Sequence, residues 1–118
     1  MDKADKDLLT AEHEKTFSDM VTESICFHCQ QAVEKYLKAY LIYLDILFPK
    51  THEIGELITL CEKGDIQIAE FKEEADTLSD YAVEVRYPDD WFEPSFEETG
   101  QAIEIARKIK EYVIEKIH

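Results

Sequence analysis

Residues 25–44 read ICFHCQQAVEKYLKAYLIYL. Ile25, Cys29, Ala32, Val33, Tyr36, Leu37, Tyr40, Leu41 and Leu44 recur at spacings of three and four, the period with which side chains line one face of an α-helix. So continuous an apolar face predicts a long core helix. Ser18 to Thr22 supplies polar residues and N-cap candidates ahead of it, and Pro49 disfavours helical geometry at Phe48, so the helix cannot run far past that residue. At about 100° per residue the far side carries Phe27, His28, Gln31, Lys35, Lys38 and Ile42. Such a mixture of polar and apolar groups reads as a partner surface.

Working outward, Ala4, Leu8, Ala11 and Leu9 form a stripe on a short amphipathic helix reaching to about Phe17. Thr51 is placed to cap a short crossover helix with Ile54, Leu57, Ile58 and Cys61, and Gly64 is placed to stop it. From Asp65 the pattern resumes through Ile68, Phe71, Ala75, Leu78, Ala82 and Val85, which predicts a third long helix broken at Tyr87-Pro88-Asp89-Asp90. Ser95 and Glu98 have the spacing of a capping box before a last helix with Ala102, Ile103, Ala106, Ile109, Val113 and Ile117. Short loops between such stripes favour antiparallel neighbours, so the expected architecture is an all-α, antiparallel up-and-down bundle of four or five helices, one domain over residues 1–118.

Composition agrees. The 118 residues are 45% hydrophobic and 34% charged with only three Gly and three Pro, which is poor material for a turn-rich β-fold and too apolar for disorder. No apolar run is long enough for a membrane span, and the amino-terminal MDKADKDLL is charged where a signal peptide would be hydrophobic, so the expected location is the cytoplasm, away from membranes. A formal net charge of -14 repels a phosphate backbone at long range, which argues against RNA or DNA as a partner.

Cys26-Phe27-His28-Cys29 has the C-x-x-C spacing of a zinc ligand pair, with Cys61 and His52 as nominees to complete it. The pair lies inside the apolar helical stripe rather than in a knuckle turn, so packed, reduced thiols are expected, with no metal and no cofactor. The chain contains no G-x-S-x-G and no phosphate-binding glycine loop. Glu84-Val85-Arg86-Tyr87-Pro88-Asp89-Asp90-Trp91 concentrates a guanidinium, two carboxylates and aromatic faces at a helix end, which suits a phosphate or carboxylate ligand. It also suits a plain helix-terminating turn in which Arg86 pairs with Asp89 or Asp90. His28 and Lys35 lie within about 20° of each other on the long helix and could face that turn. Lys50 and His52 flank a helix start, where free N–H groups attract anions.

Cys26 to Ala39 (CFHCQQAVEKYLKA) resembles the second-helix signature of HEPN domains, Pro49-Lys50-Thr51-His52 resembles their following loop, and Tyr81 to Asp89 resembles their "Y…RYPD" segment. Order and spacing agree across nearly the whole chain. The resemblance implies a helical bundle, like the substrate-binding domain of kanamycin-type nucleotidyltransferases, that commonly forms a homodimer and pairs with a separately encoded small nucleotidyltransferase. Its implied role is an accessory module that binds a nucleotide or phosphate group near the RYPD turn, through Arg86, Tyr87, Asp89, His28 and Lys35, with Lys50 and His52 as secondary candidates. It also implies an alternative, a metal-independent ribonuclease toxin of a toxin–antitoxin pair whose R-x4-6-H motif is supplied twice at a dimer interface. Counted from Arg86, the histidine position falls on Trp91 or Phe92, whose rings cannot exchange a proton near neutral pH, or on Glu93, whose carboxylate would repel the phosphate.

Overall fold

The computed structural model describes residues 2–16, 22–82 and 94–117. Within them the chain forms five α-helices: α1 (Asp2–Lys15), α2 (Thr22–Tyr43), α3 (Ile54–Cys61), α4 (Lys72–Asp76) and α5 (Phe96–Ile117), with 3-10 turns at Ile66–Phe71 and Thr77–Tyr81. There is no strand among the described residues. No helix among them is long and apolar enough to cross a membrane.

The apolar stripes meet in a single core. Ile25, Val33, Tyr36, Leu37 and Leu41 of α2 are fully buried with Ala4 and Ala11 of α1, Ile54, Leu57 and Ile58 of α3, and Ala106, Ile109 and Val113 of α5. Side-chain pairs fix the direction of each element. Asp5 and Lys15 of α1 meet Lys110 and Thr99 of α5, so these two run antiparallel. At one end of the bundle Asp65 accepts hydrogen bonds from Tyr40 Oη (2.7 Å) and Tyr112 Oη (2.6 Å). At the other, Tyr81 Oη donates to Glu98 (2.8 Å) and lies against Cys26. The segment 65–81 therefore runs opposite to α2 and α5, as an up-and-down bundle requires.

Three local details differ from the sequence reading. The long helix ends at Tyr43, before the region of Pro49, because Asp45 takes a left-handed conformation (φ 61). Ile46 N–H then bonds Leu41 C=O (2.9 Å) and Asp45 N–H bonds Ile42 C=O (3.1 Å), a Schellman closure that needs no proline. The cap of α3 is not Thr51: Ile54 N–H donates to Ser79 Oγ (2.9 Å) and Gly55 N–H to Asp76 Oδ1 (2.7 Å). A Cβ on Gly55 would lie 2.8 Å from the Asp76 carboxyl, so a larger residue there would push that carboxyl out of its capping position.

The third element is three short helical pieces in place of one long helix. Asp65 caps its own turn by accepting from Gln67 N–H. Thr77 Oγ1 back-bonds to Glu74 C=O (2.7 Å), and Asp76 and Ser79 turn toward α3. Short polar side chains that bond the backbone locally favour such tightened turns over a regular helix. The expected end of this helix, from Val83 on, lies outside the described residues, as does Ser18 of the α2 entry. The Ser95 cap is present, with Glu98 N–H donating to Ser95 Oγ (3.1 Å), but the Glu98 side chain serves Tyr81.

Replacing Asp45 with glycine removes the strain of a left-handed non-glycine residue and is expected to raise unfolding free energy by about 1 kcal/mol. Urea denaturation of D45G checks this; a midpoint at or below that of the unsubstituted chain would contradict the assignment of the helix stop.

Candidate functional site

Because α2 is enclosed by its neighbours, the polar residues on its outer arc reach carboxylates on or beside it. Asp7 of α1 receives two of them. His28 Nδ1 lies 3.1 Å from Asp7 Oδ1, and Lys35 Nζ donates to Asp7 Oδ2. The carboxylate is mostly covered (15% exposed), while Lys35 (38%) and His28 (28%) remain within reach of solvent. The two residues that share a face by helical spacing thus converge on one anion.

A second carboxylate, Glu34, is 8% exposed at its side chain. It accepts from Lys38 Nζ (2.7 Å) and Gln30 Nε2 (2.8 Å), and His52 Nδ1 lies 3.0 Å from it. Gln30 also donates to His52 C=O (3.3 Å), so the loop before α3 is held to α2 by both side chain and backbone. Burial pushes the Glu34 carboxyl up, but the hydrogen bonds from Lys38, His52 and Gln30 outweigh it and hold the group below the usual carboxylate range.

Between α1 and the second half of α2 lies an open groove of about 430 Å³, lined by Asp2, Lys3, Ala4, Lys35, Lys38, Ala39 and Ile42. Three of its residues belong to the outer arc predicted as a partner surface.

Of the residues the sequence nominates, the structure brings His28 and Lys35 together on Asp7 and places His52 one network away, on Glu34. Lys50 is exposed. The N–H groups at the start of α3 are occupied by the chain's own Ser79 and Asp76. Arg86, Tyr87 and Asp89 lie outside the described residues; the elements that bracket them, ending at Ala82 and resuming at Pro94, meet through the Tyr81–Glu98 bond beside Cys26, at the amino-terminal end of α2. His28 is on the first half of the same helix.

The three cysteines are packed: all are buried, and burial pushes the Cys26 and Cys61 thiols up to about 12 and raises Cys29 as well. No group of three or more His, Cys, Asp or Glu among the described residues is placed to hold a metal ion. Sequence reasoning passed over Asp7 and Glu34, the two anchors. The signal for Glu34 was available in its i,i+4 spacing from Lys38; Asp7 carries no local signal, because its partners lie on another helix.

An all-α bundle with this order of elements defines a helical-bundle domain. The HEPN domain model matches residues 1–117, and the chain belongs to that family. It is also similar to the crystal structure of an archaeal HEPN homologue, with 25% sequence identity, a TM-score of 0.76, and coverage of 99% of this chain and 93% of the other. Comparison with curated proteins gave no match.

The depressed Glu34 pKa fixes the sign of a pH effect. Its stabilisation is fully present above the unfolded value of 4.5 and is lost as pH falls through the lower folded value. Glu34→Gln is expected to cost about 1–3 kcal/mol at neutral pH, and to flatten the loss of stability below pH 4.5. Denaturation midpoints of both proteins from pH 3 to 7 test this; parallel curves would show that Glu34 is not a source of the acid sensitivity.

Proposed function

We propose that this HEPN domain is an accessory binding module that works as a homodimer beside a separately encoded small nucleotidyltransferase, and receives a nucleotide or phosphate group between the RYPD turn and the outer arc of α2. The observation that carries the reading is the convergence of His28 and Lys35 on Asp7. One carboxylate holds an imidazole and an ammonium side by side on a surface that the core does not use, the ammonium with further donors and the imidazole with its second ring nitrogen beyond the bond each makes to Asp7. Family membership supports the same role, with Arg86 supplying a guanidinium fork for phosphate, Tyr87 a stacking face and Asp89 an orienting carboxylate.

The test uses size-exclusion chromatography with light scattering on the chain alone and mixed with a nucleotidyltransferase encoded next to it, followed by calorimetric titration with ATP. A dimer that enters a larger complex is expected. Arg86→Ala and Lys35→Ala should each weaken ATP binding tenfold or more, the scale of one charge-assisted hydrogen bond. A chain that ignores both the enzyme and ATP would sink the reading.

One observation favours a second reading, the ribonuclease. Nδ1 of His28 is held by Asp7, the arrangement that orients an imidazole and leaves its other nitrogen to act as a base. Under that reading the purified chain cleaves RNA without metal, and both His28→Ala and Arg86→Ala abolish cleavage. Intact RNA after prolonged incubation removes it.

A further inference from the structure

We propose that the His28–Lys35 pair binds a doubly charged anion together with a proton on His28, so that ligand affinity is set by pH. This inference rests on the anion site proposed above and adds its regulation. Hydrogen-bond direction carries it. His28 Nδ1 lies 3.1 Å from Asp7 Oδ1, and Asp7 Oδ2 accepts from the Lys35 ammonium. An ionised carboxylate only accepts, so Nδ1 bears the hydrogen of this bond. A neutral imidazole has one N–H, which leaves Nε2 with a bare lone pair. That nitrogen is an acceptor and repels the oxygens of an anion. Protonation turns it into a charged donor beside the Lys35 ammonium.

Charge gives the same result. Asp7 and Lys35 cancel, so with a neutral imidazole the cluster has no net charge, in a chain whose formal net charge is -14. With His28 protonated the cluster is positive. Asp7 is the charged group that α1 places against His28, and Lys3 stands one turn before Asp7 on the same helix. On α2 the residues one turn from His28 are Ser24, Ile25, Gln31 and Ala32, none of them charged, and the Phe27 ring meets the imidazole edge-on with 5.5 Å between centroids. The proton on His28 therefore decides the sign of this cluster. Arg86, which the proposed site adds, stays charged throughout the range in which an imidazole titrates, so it contributes affinity and no pH dependence.

The probe is inorganic sulfate, which stays doubly charged where phosphate itself titrates, added at constant ionic strength and followed through the imidazole signals in NMR. Affinity should fall at least tenfold between about pH 5.5 and about pH 8. By linkage, saturating sulfate should raise the titration midpoint of His28 by about one unit or more, so binding is strongest below the midpoint of the free protein and is lost as pH rises through that of the complex. Exposed His13 of α1 is the internal reference and should not move. Without sulfate at high pH, the His28 hydrogen should sit on Nδ1. His28→Gln should bind sulfate within twofold of the same affinity at both pH values. Asp7→Asn, which removes the negative charge and the acceptor-only partner, should bind sulfate at high pH at least fivefold more tightly than the unsubstituted chain. Equal affinity of the unsubstituted chain at both pH values, a hydrogen on Nε2 of neutral His28, or an equal rise at His13 overturns the proton linkage and leaves the anion site standing. Absence of sulfate binding at every pH overturns both.

Discussion

Enclosure of α2 is the constraint on which the rest of the structure depends. Eleven of its side chains are buried, and they include Gln30 and Glu34 as well as apolar groups and two tyrosines. Polar atoms taken out of water must find partners, so neighbouring elements supply carboxylates at the required places. Tyr36 Oη donates to Asp5 and Tyr40 Oη to Asp65, while Glu34 is itself satisfied by Lys38, Gln30 and His52. No buried side-chain nitrogen or oxygen among the described residues is left without a partner. Burial and the adjoining carboxylate both raise the tyrosine pKa values, which keeps these phenols neutral donors.

The strongly acidic composition acquires a structural meaning from this. A share of the carboxylates serves as acceptors for an otherwise apolar helix: Asp5, Asp7 and Asp65 each bind α2, and Asp76 caps α3. The same arrangement creates the candidate site. A carboxylate recruited to bind one polar side chain of α2 holds a second one beside it, and the pair His28–Lys35 is left at the surface, oriented and partly exposed. Satisfying buried polar atoms and orienting polar side chains at the surface are two aspects of one network.

The architecture was legible because it rests on periodicity. The stripes on residues 25–41 and 102–113 map onto the buried faces of α2 and α5 nearly residue for residue. Local rules misplaced what long-range contacts decide. Thr51 has the residue type and position of a cap, yet α3 is capped by Asp76 and Ser79 from the following segment, and no local pattern announces that. Asp45 stops α2 through a left-handed conformation more usual for glycine, so the proline downstream drew attention that belonged four residues earlier. Apolar spacing over 65–85 resembled one helix because 3-10 and α turns place similar residues inward over short stretches. Of the candidate site, the pairing of His28 with Lys35 was visible in helical spacing, but the anion that joins them was one aspartate among many acidic residues.

Titration with ATP followed by NMR chemical-shift mapping on the isotope-labelled chain tests the central claim most directly. The account predicts shifts concentrated at Arg86 and at His28 and Lys35 on the outer arc of α2. Shifts confined to the opposite end, around Asp65 and Tyr112, or no shifts at saturating nucleotide, would contradict it.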